Sequence, residues 1–337
     1  MIRYLAHRVL QAFGVVAGVV TLTFAIARLI PGDPAIAYAG PRATTAEIES
    51  VRQEFGLDDP AWKQFVSYVS GIVRGDWGTS LHTRQPVIED LGRAIPTTLV
   101  LVVVGILVAT AVGIPLGVLA ARSAGRLGDL VVKVAAILAV STPVFWLAIL
   151  LQLVFFSRLG WLPVAGQYDP NLDATSPLSS VVGVPVIDAL LTGNMPVFFS
   201  AATHMILPVI AIAAFPLGAV IMVTRAAMLE NLAEEHIRMV RAIGFPERTV
   251  LGRWALRPSL NPVLALIALV FAYSLTNSFI VESVFNWPGL GSYAIKSIQS
   301  LDIPAILGVT LFVALVYVLL NVVVDILQAF IDPRVRA

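Results

Sequence analysis

Few residues of this chain have the types and spacings that do covalent chemistry. Its four histidines, His7, His82, His204 and His236, are scattered, and no H-E-x-x-H pair sets two imidazoles on one helix face. Cysteine is absent, which removes thiolate nucleophiles and thiolate metal ligands. No G-x-S-x-G elbow occurs, so no serine is presented on a strained strand-to-helix turn. The three lysines, Lys63, Lys133 and Lys296, all lie outside a G-x-x-x-x-G-K-[ST] pattern, so no loop is built to cradle nucleotide phosphates. Gly289-Leu290-Gly291 lacks the third glycine of a dinucleotide fingerprint. The residues therefore predict no catalytic group, no metal site and no resident cofactor.

What remains are neutral polar side chains set within long apolar runs: Gln152, Ser274, Thr276, Asn277 and Asn321. Polar groups inside a membrane are costly, and those that persist commonly mark a substrate path. Gln152, Ser274, Asn277 and Asn321 are the candidates for such a path, while Asp325 lies near the end of the last apolar run, where it can snorkel or bond locally. The near absence of charge in the middle of these runs suits a path that passes diverse side chains without holding them.

The elements that would position these residues follow from composition. Of 337 residues, 58% are hydrophobic and 13% charged, and the mean hydropathy is +0.88. A soluble domain carries about 25% charged residues. Half that charge cannot clothe a surface in water, so the apolar excess must face lipid. The net charge of +1 offers no basic field for nucleic acid. Six stretches approach the roughly 20 residues that a helix needs to cross a bilayer, at about 9–30, 97–121, 130–156, 205–224, 263–280 and 303–327. The first resembles a signal peptide, but its apolar run is longer than the usual apolar region of about 7–15 residues, and it reads as an uncleaved span. With both termini in the cytoplasm, thirteen of the 22 Lys and Arg fall inside and fourteen of the 21 Asp and Glu fall outside, the bias that sets orientation in membranes.

Between the first two stretches, residues 31–96 read as a small helical extracytoplasmic insertion. Thr44 and Glu47 have capping-box spacing before Ile48, Val51 and Phe55, and Gly56 stops that helix. Asp59-Pro60 starts another, with Trp62, Phe65, Val66, Val69, Ile72 and Val73 on one face. Gly14/Gly18 and Gly113/Gly117 allow close helix packing, and Pro115 and Pro143 predict kinks.

Residues 225–259 form the longest segment on the cytoplasmic side. Its stretch 228–243 is amphipathic, with Leu229, Leu232, Met239, Val240 and Ile243 on one face, His236 among them, and a Glu234–Arg238 pair on the other. Gly244 fits a helix C-terminus and Pro246 the start of a second helix, which reaches Leu256 before Ser259 or Asn261 with Pro262 starts the fifth span. Two readings fit this pattern: a helix lying on lipid headgroups, or a rigid lever docked in a cytoplasmic partner.

The run from Glu235 through His236, Ile237, Arg238, Met239, Val240, Arg241, Ala242 and Ile243 to Gly244, followed by Ala255-Leu256-Arg257, resembles the EAA loop of ABC-importer permeases. Other motifs resemble the dipeptide/oligopeptide/nickel permease family: Leu29-Ile30-Pro31-Gly32-Asp33-Pro34, Arg74-Gly75-Asp76-Trp77-Gly78-Thr79-Ser80, Gly113-Ile114-Pro115-Leu116-Gly117, Pro143-Val144-Phe145-Trp146-Leu147, Gly160-Trp161-Leu162-Pro163, Val284-Phe285-Asn286-Trp287-Pro288-Gly289-Leu290-Gly291 and Asp332-Pro333-Arg334-Val335-Arg336. They run in order along essentially the whole chain. Two positions depart from the family: Ile243 where it usually has lysine, and Pro258, which would end the second helix one residue early.

The resemblance implies an all-α polytopic membrane protein with six transmembrane helices and the type I ABC-importer transmembrane fold, in the bacterial inner membrane. It implies a permease for di- or oligopeptides that pairs with a second homologous permease. Two cytoplasmic P-loop ATPases, or one fused chain, would bind ATP and Mg, and an extracytoplasmic binding protein would deliver the substrate. Glu235, His236, Arg238, Val240, Arg241, Ala242, Gly244, Leu256 and Arg257 become the expected ATPase-coupling residues. Nickel complexes, glutathione or another small solute are alternative cargoes on the same architecture. An ion-coupled secondary transporter usually shows inverted repeats and midplane ionisable groups, and the sequence shows neither.

Overall fold

The computed structural model describes residues 2–29, 35–36, 40, 43–54 and 56–331, with the side chains of 1–9, 12, 27–29, 54, 320–321 and 323–331 outside the description. Every extended regular element among the described residues is a helix. In chain order these are α1 (Ile2–Leu29), α2 (Thr45–Glu54), α3 (Ala61–Arg74), α4 (Val87–Arg122), α5 (Leu127–Ser141), α6 (Val144–Leu151), α7 (Pro185–Thr192), α8 (Met195–Ala233), α9 (Glu235–Ala242), α10 (Leu256–Val284), α11 (Leu290–Gln299) and α12 (Ile303–Ile331). A π-helical stretch, Gln152–Arg158, prolongs α6, and another, Val250–Ala255, leads into α10.

Among the described residues, three helices are long and apolar enough to cross a membrane: Val87–Arg122, Met195–Ala233 and Glu247–Val284, the last being α10 with its lead-in. The apolar stretch 130–156 is two helices, Leu127–Ser141 and Val144–Arg158, meeting at 104°. The kink expected at Pro143 is thus a full break. Thr142 and Pro143 are both extended there, and proline removes the amide that would continue the ladder. Pro115, by contrast, sits inside an unbroken α4. Shorter apolar helical segments, Phe13–Ile26 and Ile303–Leu319, lie in α1 and α12.

The chain divides into two units, one of residues up to Ile95 with Gly289–Val323, the other Pro96–Pro288. In the first unit, Thr44 and Glu47 close the capping box: the Glu47 carboxylate accepts from the Thr44 amide at 2.7 Å and hydroxyl at 2.8 Å, while the Thr44 hydroxyl accepts from the Glu47 amide at 3.4 Å. The backbone bond first, then the hydroxyl, holds the Glu47 pKa below its ordinary value. Helix α3 turns Phe65 and Tyr68 to Phe24 of α1, at ring distances of 5.2 and 5.9 Å, and leaves Trp62, Val66 and Val73 exposed. Asp302, fully buried, caps α12 through the Ala305 amide and accepts from the Ser80 hydroxyl and the His82 amide. Asp90 accepts from the Thr83 and Tyr293 hydroxyls in the same unit.

In the second unit α4 lies against α8 along a line of glycines. A Cβ on Gly105, Gly113 or Gly117 would stand 2.9, 2.8 or 2.6 Å from Ile212, Val220 or Thr224. Gly218 of α8 approaches α5 as closely, 2.5 Å from the Ala136 carbonyl oxygen by the same measure. The Gly113/Gly117 pair therefore packs within the chain, whereas Gly14 and Gly18 meet nothing within 4 Å. Leu101, Leu151, Leu207, Phe285 and Trp287 form the core, which places the aromatic residues of the 284–291 motif inside. Two buried polar pairs accompany it: Thr98 donates to Glu282 at 2.6 Å, and Asp129 receives a bidentate fork from Arg225.

Candidate coupling elbow and polar cavity

The amphipathic stretch 228–243 is not one helix. Helix α8 runs on to Ala233, Glu234 is extended (φ −64°, ψ 149°), and α9 begins again at Glu235. The break re-phases the amphipathic pattern. Ile237 and Val240 turn inward onto Ala121, Met228, Val250, Leu251 and Ala255, with Leu229, Leu232 and Leu256 packed around them. Met239 and Ile243, expected on the same face as Val240, point outward at 61% and 68% exposure. Glu235, His236, Arg238, Arg241, Ala242 and Gly244 are exposed beside them, as is Arg257. Of the expected coupling residues, Val240 and Leu256 therefore hold the elbow together from within.

The corner is set by Gly244 at φ +93°, with its amide on the Arg241 carbonyl and that of Phe245 on the Val240 carbonyl. Across it Arg241 grips Glu247, at 2.8 Å from Nη2 and 3.3 Å from Nε. This pair replaces the anticipated Glu234–Arg238 pair, because Glu234 caps α9 from an extended conformation outside the helix. Past the corner, Glu247–Val284 runs as one element, so Pro258 does not end it. Pro258 is the third residue of α10, directly after the π-helical stretch Val250–Ala255, and the helix continues past it. The Ser259 hydroxyl donates to the Ala255 carbonyl at 2.7 Å and accepts from Asn231 at 3.0 Å, which ties the end of α8 to the start of α10.

Of the candidate path residues, Ser274 and Asn277 come together. They line a cavity of about 330 Å³ at the α5–α6 break with Thr142, Phe145, Phe215 and Tyr273. Phe215 and Tyr273 lie 4.2 Å apart as a tilted aromatic wall. Gln152 is elsewhere and serves structure: its Nε2 donates to the carbonyls of Val164 and Val284, at 2.8 and 3.1 Å. The side chain of Asn321 lies outside the described residues. Sequence reasoning missed the aromatic wall and the Asp129–Arg225 fork. The signal for the fork was present, since a charge inside an apolar helix must find a partner. No group of histidines, cysteines and carboxylates able to hold a metal occurs among the described residues.

Comparison with known proteins agrees with this geometry. Residues 113–337 match the family described as binding-protein-dependent transport system inner membrane component, and residues 1–102 match the N-terminal family of such components. A probable D,D-dipeptide transport system permease protein of Escherichia coli is 44% identical over 95% of this chain and 94% of its own length. The dipeptide transport system permease protein of Escherichia coli is 36% identical, covering 100% of this chain and 99% of the relative. A di/tripeptide transport system permease protein of Pseudomonas aeruginosa is also 36% identical, with the same coverage. The chain belongs to the family of binding-protein-dependent transport system inner membrane components.

Proposed function

We propose that this chain is one of two homologous permease subunits lining the path of an ATP-driven importer for di- or oligopeptides. The observation that carries this reading is similarity along the full length to relatives named as dipeptide and di/tripeptide permeases. The chain would cross the inner membrane six times, with both termini inside and the 130–156 stretch crossing as a bent pair. Residues 31–96 would stand outside and help to receive the binding protein. The asymmetry of Lys and Arg supports this orientation.

No step of ATP chemistry is assigned to this chain. ATP and Mg would sit on two cytoplasmic ATPases, and the elbow would carry their motion. Its exposed face offers Met239 and Ile243 for burial in an ATPase cleft, flanked by Arg238 for an acidic partner. The inward contacts of Ile237 and Val240 and the φ of Gly244 support a fixed elbow that would pass a push to α8 and α10. Ser274 and Asn277 would line the path.

The test is dipeptide uptake by vesicles that hold this chain, its partner permease, both ATPases and the binding protein. Uptake should require ATP and persist when the proton gradient is collapsed. Uptake driven by the gradient without ATP would refute the reading, and transport of a nickel complex or glutathione instead of dipeptide would reassign the cargo.

A further inference from the structure

We propose that α3 is an in-plane helix of the outer leaflet, with Trp62, Val66, Val69 and Val73 set into phospholipid. The proposal rests on the reading above that α1 crosses the membrane with residues 31–96 outside, and it gives α3 a partner other than the binding protein. Its first ground is depth. Phe65 and Tyr68 hold their rings 5.2 and 5.9 Å from that of Phe24, and Tyr68 is hydrogen-bonded to the Thr23 side chain. Thr23 and Phe24 belong to the apolar segment Phe13–Ile26. Helix α1 runs on to Leu29, so Phe24 sits about 7–8 Å short of its end at a rise of roughly 1.5 Å per residue. A helix held against these two residues cannot stand clear of the membrane that α1 crosses.

The second ground is the division of α3 into three faces. Phe65 and Tyr68 mark the face turned to α1. Beside it Trp62, Val66, Val69 and Val73 recur at steps of four, three and four, which keeps them in one stripe about 60° wide. Trp62, Val66 and Val73 are 69%, 58% and 81% exposed, so α1 does not cover this stripe. Lys63, Ser67, Ser70 and Arg74 follow on the next face. The helix thus has one face for its own chain, one for an apolar surround and one for water.

Charge selects lipid as the occupant. Helix α3 carries two cations, Lys63 and Arg74, and no acid. Lys63 shares its charge with Asp59 at 2.9 Å, and Arg74 is exposed. Interfacial helices combine such an apolar stripe with cations at the level of the phosphates, and tryptophan favours that boundary. Helix α2 of the same insertion has neither feature. It sets Glu47, Glu49 and Glu54 against Arg52 alone, and its Ile48 and Val51 are half-buried. A delivery protein has to dock and leave, and interfaces of that kind are about as polar as the rest of a protein surface. A stripe of tryptophan and valines suits a contact that is kept.

The experiment places a fluorescent bimane on Val66→Cys, Val73→Cys, Lys63→Cys and Ser67→Cys, one at a time, in the assembled transporter in right-side-out membrane vesicles. The chain has no native cysteine to compete. The quenchers are iodide in water and phosphatidylcholine spin-labelled near the top of its acyl chain, because a helix of this kind lies about 5–10 Å into the boundary of headgroups and chains. The ratio of lipid to iodide quenching should be at least roughly fivefold higher at Val66→Cys and Val73→Cys than at Lys63→Cys and Ser67→Cys. It should be the same with and without the binding protein. Equal ratios at all four positions overturn the proposal. So does iodide quenching of the stripe that the binding protein abolishes, which would make α3 its docking face, and so does quenching of the stripe by neither agent, which would place it against another chain. A bimane on Ser50→Cys of α2 reports the frame separately: if only iodide sealed inside the vesicles reaches it, the orientation fails and the outer-leaflet assignment falls with it.

Discussion

Arg225 of α8 and Asp129 of α5 form a two-point fork, Nε to Oδ1 at 2.6 Å and Nη2 to Oδ2 at 2.8 Å, with Asp129 almost wholly buried. The Gly125 amide adds a third bond to the same carboxylate at 3.0 Å. This fork ties the start of the broken α5–α6 pair to the helix that leads into the elbow. Removing one partner of a buried pair leaves the other charge uncompensated, whereas removing both does not. Asp129→Ala should therefore lower the melting temperature in detergent by roughly 4–8 °C. The double variant Asp129→Leu with Arg225→Met should recover most of that loss. Equal melting of the single variant and the wild type would contradict the finding.

The glycine line makes a second prediction. Gly117 admits Thr224 so closely that an added Cβ would stand 2.6 Å from Thr224 Cβ and 3.0 Å from the Ile221 carbonyl oxygen. Gly117→Ala should destabilise by about 1–3 kcal/mol through overpacking. Gly14→Ala meets nothing within 4 Å and should leave stability within about 0.5 kcal/mol. Thermal unfolding of the two variants side by side checks the contrast.

Topology is open to labelling because the chain has no native cysteine. Single cysteines at Ser50 in α2 and at Thr249 beyond the elbow should react from opposite sides with an impermeant thiol reagent. Labelling of both from outside would overturn the orientation.

The two faces of α9 should separate in experiment. Ile237 is fully buried against the chain's own core, while Met239 is exposed. Ile237→Ala should cost about 2–5 kcal/mol of stability. Met239→Glu should leave stability within about 0.5 kcal/mol, as surface changes do, and weaken ATPase binding at least tenfold. Affinity of purified ATPase for each variant, with melting measured in parallel, distinguishes them.

Local chemistry was readable in the sequence and non-local geometry was not. The Thr44–Glu47 capping box involves residues three apart and forms as the spacing predicts. Gly244 takes a left-handed φ for a local reason as well, since it ends a helix before Pro246. Pro143 announced a kink, but its depth of 104° depends on extended backbone at Thr142 that no propensity specifies. The break at Glu234 was hidden because the apolar residues of 228–243 also fit one continuous helical period, whereas the single extended residue between α8 and α9 shifts the phase. That single residue decided whether Met239 or Ile237 faces the core. The Asp129–Arg225 fork joins residues 96 positions apart, and the cavity gathers residues from four helices. Such pairings come from packing, which composition and periodicity do not encode.

If force passes through the elbow, Gly244→Val should uncouple ATP hydrolysis from import. Nothing lies within 4 Å of the position where its Cβ would stand, so the strain comes from φ +93° alone. A β-branched residue resists that backbone by about 1–2 kcal/mol and should re-aim α9 against α10. The measurement is dipeptide uptake per ATP hydrolysed in vesicles, at matched membrane levels of variant and wild type. The Gly244→Val transporter should hydrolyse ATP without import, or lose both through weaker ATPase binding. Wild-type uptake per ATP in the Gly244→Val transporter would contradict it.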